Sequence, residues 1–110
     1  MEQLKTFCIS LKNNIISENL SKECLESGKK FKWKIIQFEA TSIEDVNNEI
    51  WKKFNVIPSK DNKFQKRIGA QGCYLSHFRL WNICIDLNEP IIILEHDAIV
   101  SNIFPNIETE

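Results

Sequence analysis

Glu95 and Asp97 stand one residue apart, with His96 between them, directly after the apolar run Ile91-Ile92-Ile93-Leu94. In an extended segment alternate side chains share a side, so the two carboxylates would project together and His96 away from them. Paired carboxylates can hold a hard divalent cation, directly or through water, against a phosphate group. Such a cation can neutralise a diphosphate leaving group as it departs. The plainer alternative is two surface acids at a strand end, with His96 a polar turn residue. A short continuous apolar run reads as a strand buried on both faces. In open α/β sheets ligands bind beyond the carboxyl ends of such strands, which is where these acids fall.

Other chemistry-bearing residues are fewer. Ser76 and His77 are sequence neighbours on a predicted helix. They point about 100° apart, so they do not form a nucleophile–base pair by themselves. His77 lies on an apolar stripe and reads first as a core histidine. The four cysteines, Cys8, Cys24, Cys73 and Cys84, form no C-x-x-C pair, which argues against a zinc site. Cys8, Cys73 and Cys84 have apolar neighbours and read as small core residues. Between Lys52 and Arg67 six basic residues face one acid, Asp61. That run is either a solvated face or a basic rim near an anionic ligand.

The elements that must position these residues follow from periodicity. Leu4 to Leu11 reads as a first strand. A helix from Glu18 to Ser27, capped by Ser17, follows, with Leu20, Cys24 and Ser27 inward and Gly28 as terminator. Phe31 to Phe38 reads as the second strand. Thr41 or Ser42 caps a second helix whose apolar positions are Ile43, Val46, Ile50, Trp51 and Phe54. Asn55 to Lys66 is a polar connection. Gly69 to Leu87 is the strongest helix, with stripes Cys73, His77, Leu80, Cys84, Leu87 and Tyr74, Phe78, Trp81, Ile85 forming one wide buried face. Asn88 and Pro90 end it, and Ile91 to Leu94 is the last strand. A short tail closes on Glu108-Thr109-Glu110. The order β-α-β-α-loop-α-β predicts an α/β layered domain with a mainly parallel sheet.

Composition narrows the classes. The 110 residues are 43% hydrophobic and 26% charged, which suits one globular domain spanning residues 1–110 and argues against disorder. A net charge of −1 gives no support to a nucleic-acid binder driven by bulk charge. No signal-peptide h-region opens the chain, and no apolar segment of about 18 residues could span a membrane. A cytoplasmic protein with reduced thiols is therefore expected. No G-x-G-x-x-G, Walker A or G-x-S-x-G sequence occurs, which argues against an NAD-binding domain, a P-loop nucleotidase and an α/β-hydrolase.

Residues 67 to 98 also carry a resemblance. Arg67-Ile68-Gly69-Ala70-Gln71-Gly72-Cys73-Tyr74-Leu75-Ser76-His77-Phe78-Arg79-Leu80-Trp81, then Asn88-Glu89-Pro90, then Ile93-Leu94-Glu95-His96-Asp97-Ala98 resembles glycosyltransferase family 25. This is the family of lipooligosaccharide and collagen galactosyltransferases. The strand Phe7 to Leu11 and Phe38-Glu39-Ala40 are similar to the family's start, less distinctively. The resemblance implies a GT-A-like, Rossmann-like fold and a nucleotide-sugar donor such as UDP-galactose. It also implies a glycan or lipooligosaccharide acceptor and a divalent metal, Mn²⁺ or Mg²⁺. It places Glu95 and Asp97 as the outer members of the acidic metal motif. Ser10 and Leu11 fall near the nucleotide, and Ser76, His77 and Glu95 among donor-binding positions.

His96 stands where the family has a middle acid. The segments expected to supply acceptor contacts and the general base are not among the 110 residues, so the chain reads as a truncated donor-binding half and no base is nominated. A non-catalytic nucleotide-sugar-binding module, or an interaction domain that has lost its chemistry, is the alternative. An incomplete sheet would expose an edge for homo-oligomerisation.

Overall fold

A computed structural model describes residues 3–105, apart from the side chain of Phe64; the predicted tail Glu108 to Glu110 lies outside the described residues. Three strands form an all-parallel sheet in the order β2-β1-β3, with β1 spanning Lys5–Ser10, β2 Ile35–Glu39 and β3 Ile91–Glu95. Cys8 faces Gln37 on one side and Leu94 on the other, so β1 is the central strand. Thr6, Phe7, Cys8 and Ser10 are accordingly buried. Together with its helices this sheet makes a Rossmann-like layered α/β fold. The expectation that Ile91 to Leu94 is buried on both faces does not hold. β3 pairs only with β1 among the described residues, and all four side chains are half-buried.

Helix α1 runs Ile15–Lys30 and begins earlier than predicted. Asn14, not Ser17, is the cap, its Oδ1 accepting the Ser17 N–H at 2.9 Å. The buried face is Ser17, Ser21, Cys24 and Gly28, while Leu20 and Ser27 are half-buried. These small side chains at spacings of four, three and four residues let the helix lie close against the sheet. Gly28 does not terminate the helix. It is buried in the last turn, where a Cβ would stand 2.4 Å from Ile35 Cδ1. Lys32, at φ 63°, turns the chain instead, which shortens β2 relative to the predicted Phe31 to Phe38.

The second predicted helix is broken into a 3-10 turn at Ile43–Asp45 and a short α2 at Asn48–Lys53. Asn47 restarts the helix by accepting the Ile50 N–H at 2.9 Å, and Trp51 is its buried anchor. The predicted connection contains α3, Asn62–Lys66, started by Asp61 Oδ1 accepting the Lys63 N–H at 2.7 Å.

Helix α4 spans Ile68–Leu87 and ends at Asn88 in the left-handed region, close to prediction. Its buried face differs from the predicted one. Gln71, Gly72, Leu75, Ser76 and Leu80 face inward, whereas Tyr74, Trp81 and Ile85 are 39, 45 and 72% exposed. Gly72 and Ser76 are small enough to close against the chain after β2. The large rings pack among themselves, with Phe54–Phe78 tilted at 5.1 Å and Tyr74–Trp81 edge-to-face at 5.9 Å between centroids.

Candidate functional site

The three parallel strands end at one edge of the sheet, and a cleft of about 280 Å³ opens there on the α4 side. Ile9 and Leu11 line it from the end of β1. Ala40, Thr41 and Ile43 come from the end of β2, and Glu95 and His96 from the end of β3. Gly69, Cys73, Ser76 and His77 of α4 form the facing wall. From β1 the chain crosses to β2 on one side and later returns to β3 on the other. The gap between the ends of β1 and β3 is therefore the topological switch point, the usual ligand crevice of open α/β sheets.

Two hydrogen-bonded nodes fix this edge. In the first, Ser17 Oγ accepts the Leu11 N–H at 2.8 Å and meets His96 Nδ1 at 2.7 Å. One serine thereby ties the ends of β1 and β3 to the first turn of α1. In the second node, Ser76 Oγ accepts the Thr41 N–H at 2.8 Å and donates to Gly72 O at 2.7 Å. Arg79 Nη1 donates to Glu39 O and Thr41 Oγ1 at 3.0 and 3.1 Å, and its guanidinium lies 4.6 Å from the Phe38 ring centroid. A Cβ on Gly72 would approach Thr41 O to 2.8 Å. Gly72, Ser76 and Arg79 thus clamp the segment after β2 onto α4.

His77 is half-buried at the cleft wall, not in the core. Its Nδ1 lies 2.9 Å from Cys73 O. A carbonyl only accepts, so Nδ1 carries a proton, and Nε2 is the ring nitrogen left to meet a ligand. Cys73 is exposed on the cleft wall, contrary to the expected core position. Burial of the sulfur, followed by the charge of Glu95, pushes its thiol above the ordinary value. It is a neutral wall, not a ready nucleophile. Cys84 is half-buried, its thiol donating to Glu89 O at 3.1 Å, while Cys8 and Cys24 are core thiols.

Glu95 lines the cleft, and Asp97 is not among the lining residues. The chain turns at His96-Asp97, closed by the Ala98 N–H on Glu95 O at 3.0 Å. The extended segment expected to carry both carboxylates to one side is therefore replaced by a turn. The Glu95 charge reaches Cys73 on α4, while that of Asp97 reaches Cys8, the partner of Cys24 on α1. Among the described residues no three His, Cys, Asp or Glu side chains could hold a metal together. The donor set here fits a cation that takes carboxylate from Glu95 or Asp97 and completes its shell with water and phosphate oxygens, as Mg²⁺ does with phosphate substrates.

Ser10 is buried and accepts from Gln37 Nε2 at 2.9 Å. It lines a second, shallower cleft on the α1 side, with Leu11, Lys12, Glu18, Gln37 and Glu39. Leu11 borders both clefts, whereas Ser76 and His77 line the first. Lys12 and Arg79 were not singled out from sequence, and Ser17 and Thr41 were read only as helix caps. Lys12 had a signal, as the first basic residue after β1. The roles of the others depend on partners 38 to 79 residues away or on backbone groups, which spacing does not reveal.

Over residues 3–110 the chain matches the family described as glycosyltransferase family 25 (LPS biosynthesis protein), and it belongs to that family. No curated protein matches it.

Proposed function

We propose that this chain carries the nucleotide-sugar half of a hexosyl transfer site of GT-A type. It would take a donor such as UDP-galactose at the sheet edge and serve a glycan or lipooligosaccharide acceptor. The observation that supports this most is the convergence of all three strand ends on a cleft at the topological switch point. Apolar Ile9, Leu11 and Ile43 suit the flat part of a ligand, and Thr41, His77 and Glu95 supply polar contacts at its edge. His77 Nε2 meets a hydroxyl of the ligand. Ser76, its hydroxyl already committed, acts by holding Thr41 in place. Ser10 and Lys12 border the donor from the other side of Leu11. Glu95 or Asp97 would supply carboxylate to a divalent cation, which when bound would offset the charge of the diphosphate.

In the reaction an acceptor hydroxyl loses its proton to a base and forms the new bond to the anomeric carbon. The bond from that carbon to the diphosphate oxygen breaks, and the electron pair leaves with the nucleotide. No residue of the chain is assigned as that base. A second reading, donor binding without transfer, is favoured by one observation: Glu95 is the sole carboxylate lining the cleft. No helix among the described residues is long and apolar enough to cross a membrane, and a cytoplasmic location accords with that. Both outer edges of the sheet lack a strand partner among the described residues, which would allow a homo-oligomer to pair there.

Isothermal titration of UDP and UDP-galactose, with and without Mn²⁺, tests the proposal. Metal-dependent binding is expected, and Glu95→Ala with Asp97→Ala should remove the metal dependence while leaving the fold intact. Binding that ignores both substitutions would refute their assignment, and no binding at any metal concentration would refute the donor site. UDP release in the presence of acceptor separates transfer from binding alone.

A further inference from the structure

We propose that the basic segment from Lys52 to Ile68 docks the protein on an anionic lipid surface. Lys52, Lys53, Lys60, Lys63, Lys66 and Arg67 are all exposed. The one ion pair among the described residues is Lys5–Glu89, on a different part of the chain, so none of the six charges is compensated by a salt bridge. Asp61, the single acid of the segment, has its Oδ1 engaged by the Lys63 N–H. In a chain of net charge −1 this concentration of positive charge is strongly local.

The segment is a fixed array. Asn55, at φ 56°, turns the chain out of α2. Gln65 Nε2 donates to Ser59 O at 2.6 Å, and the Gln65 N–H donates to Asp61 O at 3.0 Å. Gln71 Nε2 reaches back from α4 to Gln65 O at 3.5 Å. The backbone that carries Lys60, Lys63 and Lys66 is therefore tied to itself and to α4, which lowers the ordering cost that a flexible tail would carry on binding.

The apolar content of the segment decides between partners. Ile57, between Lys53 and Lys60, is 88% exposed. Ile68, at the start of α4, is 47% exposed. Aliphatic side chains among lysines match a bilayer interface, which offers anionic headgroups and apolar depth in one place. Single-stranded nucleic acid would instead call for open aromatic faces among the charges, and Phe54, the ring of the segment among the described side chains, is occupied by Phe78. Arg67 leads directly into α4, whose Gly69 lines the cleft. Docking through this segment brings the cleft mouth beside the surface, where a lipid-borne glycan would be presented.

Vesicle flotation of the intact chain tests this, with phosphatidylcholine alone and with phosphatidylcholine mixed with phosphatidylglycerol. Binding is expected to the anionic vesicles only and should weaken as salt rises. The Lys60→Glu/Lys63→Glu/Lys66→Glu variant should lose about a hundredfold or more in partitioning, from roughly 1 kcal/mol for each basic residue near the surface. Ile57→Ser should lose roughly tenfold and keep the salt dependence. Should the triple Glu variant not fold, the corresponding triple Gln variant is expected to lose about a hundredfold.

Equal binding to neutral vesicles would overturn the proposal, as would partitioning unchanged in these variants. Displacement of the vesicles by a DNA oligonucleotide or an acidic peptide at matched salt would assign the patch to another partner and overturn it too. UDP titration of the same variants should match the parent chain, so failure here is distinguishable from failure of the donor site.

Discussion

The two faces of the sheet are closed in different ways. On one face α1 offers Ser17, Ser21, Cys24 and Gly28, all buried, and packs against Thr6, Cys8 and Ser10, with the shallower cleft of Ser10 and Leu11 at its end. On the other, α4 is anchored by Leu75 and Leu80 and clamped at Gly72, Ser76 and Arg79 to the end of β2. Beyond that clamp, Ile9, Ile43, Cys73 and His77 leave the 280 Å³ cleft. A continuous stripe of small residues lets a helix close along its length. An interrupted one closes at a point and leaves room for a ligand.

The largest effect expected from breaking this arrangement is at the anchor of α4. Leu75→Ala should cost about 2–5 kcal/mol, because Leu75 is fully buried. Ile85→Ser on the same helix, at 72% exposure, should change stability by less than about 0.5 kcal/mol. Urea unfolding of both variants checks the pair. Equal losses would mean that the aromatic side of α4, and not the Leu75 side, carries the packing.

The two glycines separate the faces more finely. Gly72→Ala sets a Cβ against the backbone oxygen of Thr41 and should cost about 1–3 kcal/mol. At Gly28 the obstacle is the terminal methyl of Ile35, which can rotate, and alanine gains up to about 1 kcal/mol of helix propensity. Gly28→Ala should therefore be the milder change. Thermal unfolding of the two variants decides it, and a milder Gly72→Ala would remove the clamp from the account.

The α1 face should also carry a pH signature, set by its two core thiols. Burial, then the hydrogen bond to Cys24, pushes the Cys8 thiol from 9.0 to about 12. A pKa raised by folding contributes stability that is complete below the unfolded value and is lost as pH rises from there through the folded value. Stability should hold to about pH 9 and then fall by up to about 1.4 kcal/mol per pH unit toward pH 12. Cys24, also raised by burial, acts in the same direction. Cys8→Ala should flatten the alkaline limb of the urea midpoint against pH, and an unchanged slope would place its origin elsewhere.

Much of the fold was legible along the chain. Asn88 and Pro90 marked the end of α4, and the run Phe7 to Leu11 marked β1, because local propensity and hydrophobic period agree there. Gly28 was misread because a glycine near a helix end serves equally as a terminator or as a point of close packing. Only the position of Ile35 distinguishes the two. The inward face of α4 was misread for a related reason. Large apolar residues dominate a periodicity count, yet here the small Gly72 and Ser76 make the contact while Tyr74 and Trp81 stay at the surface.

By itself the sequence determined the α/β class, the family and the residues with chemistry to offer at the end of β3, since these rest on short-range pattern and residue type. Tertiary structure decided which of them share a space. Pairing across the sheet sets Glu95 beside Ile9, and the turn after it leaves Asp97 off the cleft wall. Ser17 joins Leu11, six residues before it, to His96, 79 residues after it. Such a meeting depends on strand register and helix approach, and neither is encoded in the spacing of the residues that meet.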